Sequence, residues 1–375
     1  MKTTKIYTAL ALISVISWNC ASHNEVDDAS LKSSVNSNAV TLTAAVNAIT
    51  TSVGYQVLSV QNTTSATGPS LVSAADGIAI DTTTIKYSLA DVAGIWDYKA
   101  ALNNKRPVPV NSFFQNSGTS NDLILRMPEA KVKHPAALFI YRPSDTTLVN
   151  NYIIDVSKYD RVYKQFRPQR WYWTYDMASN ISVSGVSAGD LSIQSSNQSA
   201  TGYHFKSGFA FADGYVANTS YSSGDTVISL YNISKNNTTL YQEKFTSVKT
   251  GSTAAYRERE YSLTIGNVEI VRKPGTNSLD SAKVYLAGVL QTKAKVEIID
   301  TTTPATVADS TETTVCNHKR VIQITFDDGT VTTISQLLTD NTLQNIRNLF
   351  ATIRQAYFAT DIVDNVANYI YRSKQ

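Results

Sequence analysis

The sequence predicts a mainly β protein, an antiparallel meander forming a barrel or a sandwich, with an N-terminal helix and a C-terminal helical tail. Three observations carry that expectation. Apolar and polar residues alternate through most of the middle of the chain, the pattern of half-buried strands. Asp213-Gly214, Asn236-Asn237 and Asp328-Gly329 separate alternating segments, as tight hairpins require. Towards the end the apolar spacing changes to threes and fours, the helical period. Composition agrees, since 375 residues with 42% hydrophobic and 17% charged side chains describe a folded body with a sizeable core. Twenty-one Tyr, with abundant Thr, add to strand propensity.

At the N-terminus, Lys2 and Lys5 precede the apolar run Ile6 to Trp18, about thirteen residues and short of the roughly 20 that a membrane-spanning helix needs. Residues 1–19 therefore read as a signal peptide. Residues 20–40 are polar and Ser-rich and read as a flexible tether, reaching about 25 Å from its start. Leu42, Val46, Ile49, Val53 and Val57 then step by four, three, four and four, a helical lead-in over 41–62.

Residues 63–340 form the β body, with about ten to thirteen strands joined mostly by short turns. Leu123 to Leu125 and Leu138 to Ile140 are short apolar runs closed by Pro128 and Pro143. Tyr203, Phe205, Phe209 and Phe211 oppose His204 and Lys206, and Ile322, Ile324 and Phe326 lead into Asp328-Gly329. Residues 341–375 form the tail, where Leu343, Ile346, Phe350, Ile353 and Tyr357 define an amphipathic helix capped by Asn341 or Thr342. Thr360-Asp361 is a second start signal, so the tail is either two short helices or one kinked helix, packed on the β body.

Charge and cysteine content exclude whole classes of function. Of the 33 basic residues, Lys2 and Lys5 leave with the signal, so 31 face 30 acidic ones and no attraction to nucleic acid follows. Cys20 and Cys316 are the two cysteines, too few for a disulfide framework. The sequence carries no cofactor motif, and no cofactor or metal is expected.

Candidate sites are few. Gly185-Val186-Ser187-Ala188-Gly189 matches G-x-S-x-G, but the motif needs a helix after the serine, and Asp190 to Gln194 alternate as a strand does. A hairpin turn is the expectation, with a Ser187 hydrolase as the second alternative function. Cys316 and His318 lack the second ligand pair of a metal site, and Asp327-Asp328 belongs to a turn. Lys158, Arg161, Lys164, Arg167 and Arg170 recur every third residue among aromatics, a spacing that alternates faces in a strand. Trp171, Trp173 and Tyr175 share one face of any strand there, and with Arg167 and Arg170 they form the ligand-binding candidate, suited to stacking on a sugar.

Resemblances place the chain. A cysteine directly after an apolar run, as Cys20 is, resembles a lipobox, whose acylated thiol becomes the mature N-terminus. The acidic tract Glu25, Asp27 and Asp28 resembles the export signal that sends lipoproteins of the Bacteroidetes to the cell surface. With the Tyr/Thr-rich β body, the chain resembles surface lipoproteins of the Bacteroidales. That resemblance implies an outer-membrane lipoprotein, palmitoylated at Cys20 and exposed at the cell surface, its lipid anchor contributing about 0.8 kcal/mol per buried CH₂. The function expected is non-enzymatic binding of a ligand or partner, a glycan or an envelope protein. Fimbrillins are similar in being lipoprotein precursors with β-sandwich domains, so a structural or adhesion subunit is the first alternative. They are expected to finish on an exchangeable strand, whereas Leu343 to Tyr371 reads as helix. Gly94-Ile95-Trp96 is similar to the G-x-W that opens lipocalin barrels.

Overall fold

The computed structural model describes residues 28–59, 84–99, 113–132, 143–166, 170–198, 202–249, 257–273, 281–304, 316–354 and 357–374. Its helices are α1 (Asp28–Thr51), α2 (Val53–Ser59), α3 (Leu89–Val92), α4 (Glu129–Val132), α5 (Ile334–Leu337), α6 (Asp340–Arg354) and α7 (Tyr357–Ser373). The expected tether over 20–40 is corrected from Asp28 onward. Leu31, Val35 and Ala39 extend the stripe of Leu42, Val46 and Ile49 backwards, and all six are buried. Burial of that stripe outweighs the weak helix propensity of its Ser, Thr and Asn residues. Thr41, Thr50 and Thr51 satisfy their hydroxyls by donating to the carbonyls of Ser37, Val46 and Asn47.

The strands begin with β1 (Thr84–Ser88), β2 (Gly94–Tyr98), β3 (Phe114–Gly118) and β4 (Leu123–Met127). Long hairpin arms follow in β5 (Tyr152–Phe166), β6 (Arg170–Val183), β7 (Val186–Gln198), β8 (Gly202–Phe211), β9 (Tyr215–Ser222), β10 (Thr226–Lys235), β11 (Thr238–Lys249) and β12 (Arg257–Ile265). The last are β13 (Val268–Lys273), β14 (Ser281–Leu286), β15 (Val289–Leu290), β16 (Lys295–Pro304), β17 (Cys316–Thr325) and β18 (Val331–Thr333). All eighteen belong to one sheet. From β4 to β14 each strand pairs antiparallel with the next, and β16 to β18 continue from β14. β1 and β4 share one edge of β5, and β2 joins β4 in the parallel pair.

The mainly β antiparallel meander with helices at both ends is therefore the architecture, and the sheet is not a closed barrel. Among the described residues, β3 pairs with β2 alone and β18 with β17 alone. The lipocalin expectation from Gly94-Ile95-Trp96 is corrected accordingly; Gly94 opens β2, and the Trp96 ring meets Tyr369 of α7 edge-on at 6.5 Å. The expected hairpins form, with Asn236 and Asn237 both in the left-handed region between β10 and β11, as are Gly214 and Gly329 in their turns.

One face of the sheet is covered by α1, α2, α6 and α7, whose apolar stripes bury Leu42, Val46, Leu58, Leu349, Ile353 and Val366 against it. α2 approaches β7 so closely that a Cβ on Gly54 would stand 2.5 Å from the Ala188 carbonyl. A second cluster forms where Leu31 and Val35 meet Ile270, Val284, Val296, Ile324 and Phe326. The α6 start signal lies at Thr339, whose Oγ1 accepts from the Thr342 amide at 3.3 Å, rather than at Asn341 or Thr342.

Candidate ligand-binding cleft

The expected site residues fare unequally. Cys20 and Arg167 lie outside the described residues, as do the side chains of Arg170, Trp171 and Trp173, whose backbone runs in β6. Tyr175 is 8% exposed on the helix-covered face, edge-on to Tyr159 at 5.9 Å, so it is part of the core and presents no open stacking face. It belongs to a polar cluster that ties α7 to the sheet. The Tyr159 hydroxyl donates to Asp364 at 2.7 Å, Arg161 pairs with Asp364 at 3.3 Å, and Arg161 donates to the Tyr87 hydroxyl at 3.1 Å. Burial pushes the Asp364 carboxyl up, while Arg161 and the hydroxyls of Tyr159 and Tyr175 pull it back. The basic ladder divides between faces as odd steps in a strand require, with Lys158 outward on Asp176 at 2.6 Å and Arg161 inward.

Ser187 sits in a hairpin. Ser184 and Gly185 both adopt positive φ between β6 and β7, and a strand follows the serine where an elbow would need a helix. His204 is opposite Ser196, nine residues along β7 from Ser187, about 30 Å at strand rise. Cys316 and His318 lie in β17 with side chains outside the described residues. Among the described residues no group of three His, Cys, Asp or Glu could hold a metal ion, and no helix is long and apolar enough to cross a membrane.

A site that sequence patterns did not single out forms between α6 and the strands beneath it. Phe350 touches the rings of Tyr231 in β10 at 5.1 Å and Tyr241 in β11 at 6.1 Å. One turn on, the Ile353 carbonyl accepts from Ser207 in β8 at 3.1 Å, and near the helix start Leu343 and Ile346 line the same cleft as Leu263 of β12. α6 thus crosses the strands from β12 to β8. Its 15 residues span about 22 Å, against about 19 Å for four strand spacings.

Between helix and sheet lies a cleft of about 380 Å³ lined by Tyr231, Tyr241, Glu243, Tyr261, Arg347 and Phe350. Ile322, Ile334 and Leu338 from β17, α5 and the turn after it close its apolar end. Glu243 is the fixed polar point. The Tyr241 hydroxyl donates to its Oε2 at 3.1 Å and the Tyr261 hydroxyl to its Oε1 at 3.1 Å. Burial, and then the Glu243 charge, push both tyrosines above their ordinary value, so they are protonated donors at neutral pH. Each carboxylate oxygen keeps a lone pair for a further donor, and each tyrosine oxygen can still accept. The cleft thus sets polar acceptors and donors beside aromatic and aliphatic walls.

Tyr241 and Glu243 share a face at two-residue spacing, which the sequence displays; Tyr261 joins them only through the pairing of β11 with β12. No protein-family profile, no curated protein and no solved structure matches this chain.

Proposed function

We propose that this protein is a non-enzymatic cell-envelope lipoprotein, anchored at the outer membrane through acylated Cys20 and displayed at the surface, that binds a glycan in the cleft beneath α6. One observation carries the ligand class. A carboxylate held from both sides by tyrosine hydroxyls stands in an aromatic-walled cleft, where sugar hydroxyls find acceptors and sugar rings find faces. Binding fits this lining better than turnover does. The cleft's described lining holds a single carboxylate, whereas glycoside hydrolysis ordinarily uses two.

The test is a glycan array followed by calorimetry. Glu243→Gln exchanges a charged acceptor for a neutral one and is expected to weaken the captured glycan about tenfold or more. Unchanged affinity removes the cleft from the reading. In cells, Cys20→Ala is expected to move the protein out of the membrane fraction, and a variant that stays there defeats the anchor.

A further inference from the structure

Tyr261 of the cleft also ends a row of rings set by strand register. Phe205 in β8 is opposite Tyr221 in β9, Tyr221 opposite Ser229 in β10, Ser229 opposite Phe245 in β11, and Phe245 opposite Tyr261 in β12. Opposed residues project to the same face, so these side chains stand on the face that carries α6. The adjacent row, Ser207, Thr219, Tyr231, Glu243 and Leu263, is the one that α6 covers. The row of rings lies two residues further along each strand, about 7 Å, and runs parallel to the helix.

Its middle is open to solvent, with Tyr221 39% and Phe245 37% exposed, although rings of this size usually bury. Tyr221 and Phe245 stand two strand spacings apart, about 10 Å, with the small Ser229 between them. That interval is comparable to the repeat of two sugar rings in an extended chain. Tyr261 belongs to both features, since it ends the row and donates to Glu243 in the cleft.

We infer that the row is an extended platform for a linear oligosaccharide, which lies across β8 to β12 alongside α6 with one end seated at Glu243. This rests on the reading of the cleft as a glycan site and adds chain length as the selected property. A short sugar fills the cleft alone; a longer one also stacks on Phe245 and Tyr221.

Titration calorimetry of the detergent-solubilised full chain, against cello-, xylo-, manno- and galacturono-hexaoses and the matching disaccharides, tests it. At least one hexaose is expected to bind about tenfold more tightly than its disaccharide, the worth of one or two added ring stacks. The exposed pair Tyr221→Ala with Phe245→Ala is expected to reduce the hexaose to the disaccharide's affinity, leaving the disaccharide's affinity unchanged and the protein folded at the assay temperature by circular dichroism. Equal affinities of hexaose and disaccharide for the unaltered protein overturn the inference without any variant. If the affinities are equal and Glu243→Gln still weakens both, the platform falls and the cleft stands. Failure of every sugar to bind removes both.

Discussion

Lys32 and Asp328 join the start of α1 to the β17–β18 turn, with Nζ 2.9 Å from Oδ2. The same carboxylate accepts from the Thr330 amide and hydroxyl, which closes the Asp-Gly turn. The Thr330 hydroxyl first, then Lys32 and the Thr330 amide, hold the Asp328 carboxyl down at about 2, against an ordinary 3.8. The native state therefore binds this proton more weakly than the unfolded chain does. The stabilisation is fully present above pH 3.8 and is lost as pH falls through about 2. Asp328→Asn is expected to lower the urea midpoint at neutral pH, and the gap to the unaltered protein is expected to close as pH falls through that window. A gap that does not change with pH contradicts the assignment. Because both groups are well exposed, the effect is small and screened by salt.

At the level of elements, α1 is held by a polar contact as well as by its stripe. Asn38 Nδ2 donates to the Ile265 carbonyl at 2.9 Å and to Asn267 Oδ1 at 2.7 Å, gripping the β12–β13 turn. Gly266 in that turn has φ +61°, a conformation that favours glycine, and a Cβ there would stand 2.4 Å from the Asn38 side chain and displace its grip on the turn. Asn38→Ala removes both side-chain bonds to the turn and is expected to cost about 1–2 kcal/mol, read as a lower urea midpoint with unchanged slope. Little of this contact was legible in the sequence. Elements whose signal is local were readable: the Asp-Gly and Asn-Asn turns, the stripe from Leu343 to Ile353, and the strand after Ser187. The first turns of α1 were not, because Leu31 and Val35 are isolated among polar residues and acquire meaning only when β13, β14 and β17 supply the surface they bury against. The cleft was illegible for the same reason at longer range. Tyr241 and Glu243 are adjacent on one face, but Tyr261 and Arg347 reach them through strand pairing and helix crossing, neither of which sequence spacing encodes.

For the whole molecule, the question is whether the two apolar clusters form one cooperative unit. α1 is 24 residues, about 36 Å, and contributes Leu31 and Val35 to one cluster and Leu42, Val46 and Ile49 to the other. Ile322, Ile334 and Leu337 pack against both. Unfolding of either cluster would strip a helix or strand that the other needs, which predicts a single transition. The tryptophans provide a test, since all four lie before Arg257, and Trp96, whose surroundings are described, packs against the first cluster. Ile270, 3% exposed, lies in the second. Ile270→Ala removes buried methylenes there and is expected to cost about 2–5 kcal/mol. If the clusters unfold together, tryptophan fluorescence and far-ultraviolet dichroism shift to the same lower midpoint, although Ile270 and Trp96 belong to different clusters. A fluorescence midpoint that stays in place while the dichroism splits into two steps would make the strands from β13 onward a separate folding unit, and would reduce α1 from a shared strut to a linker between them.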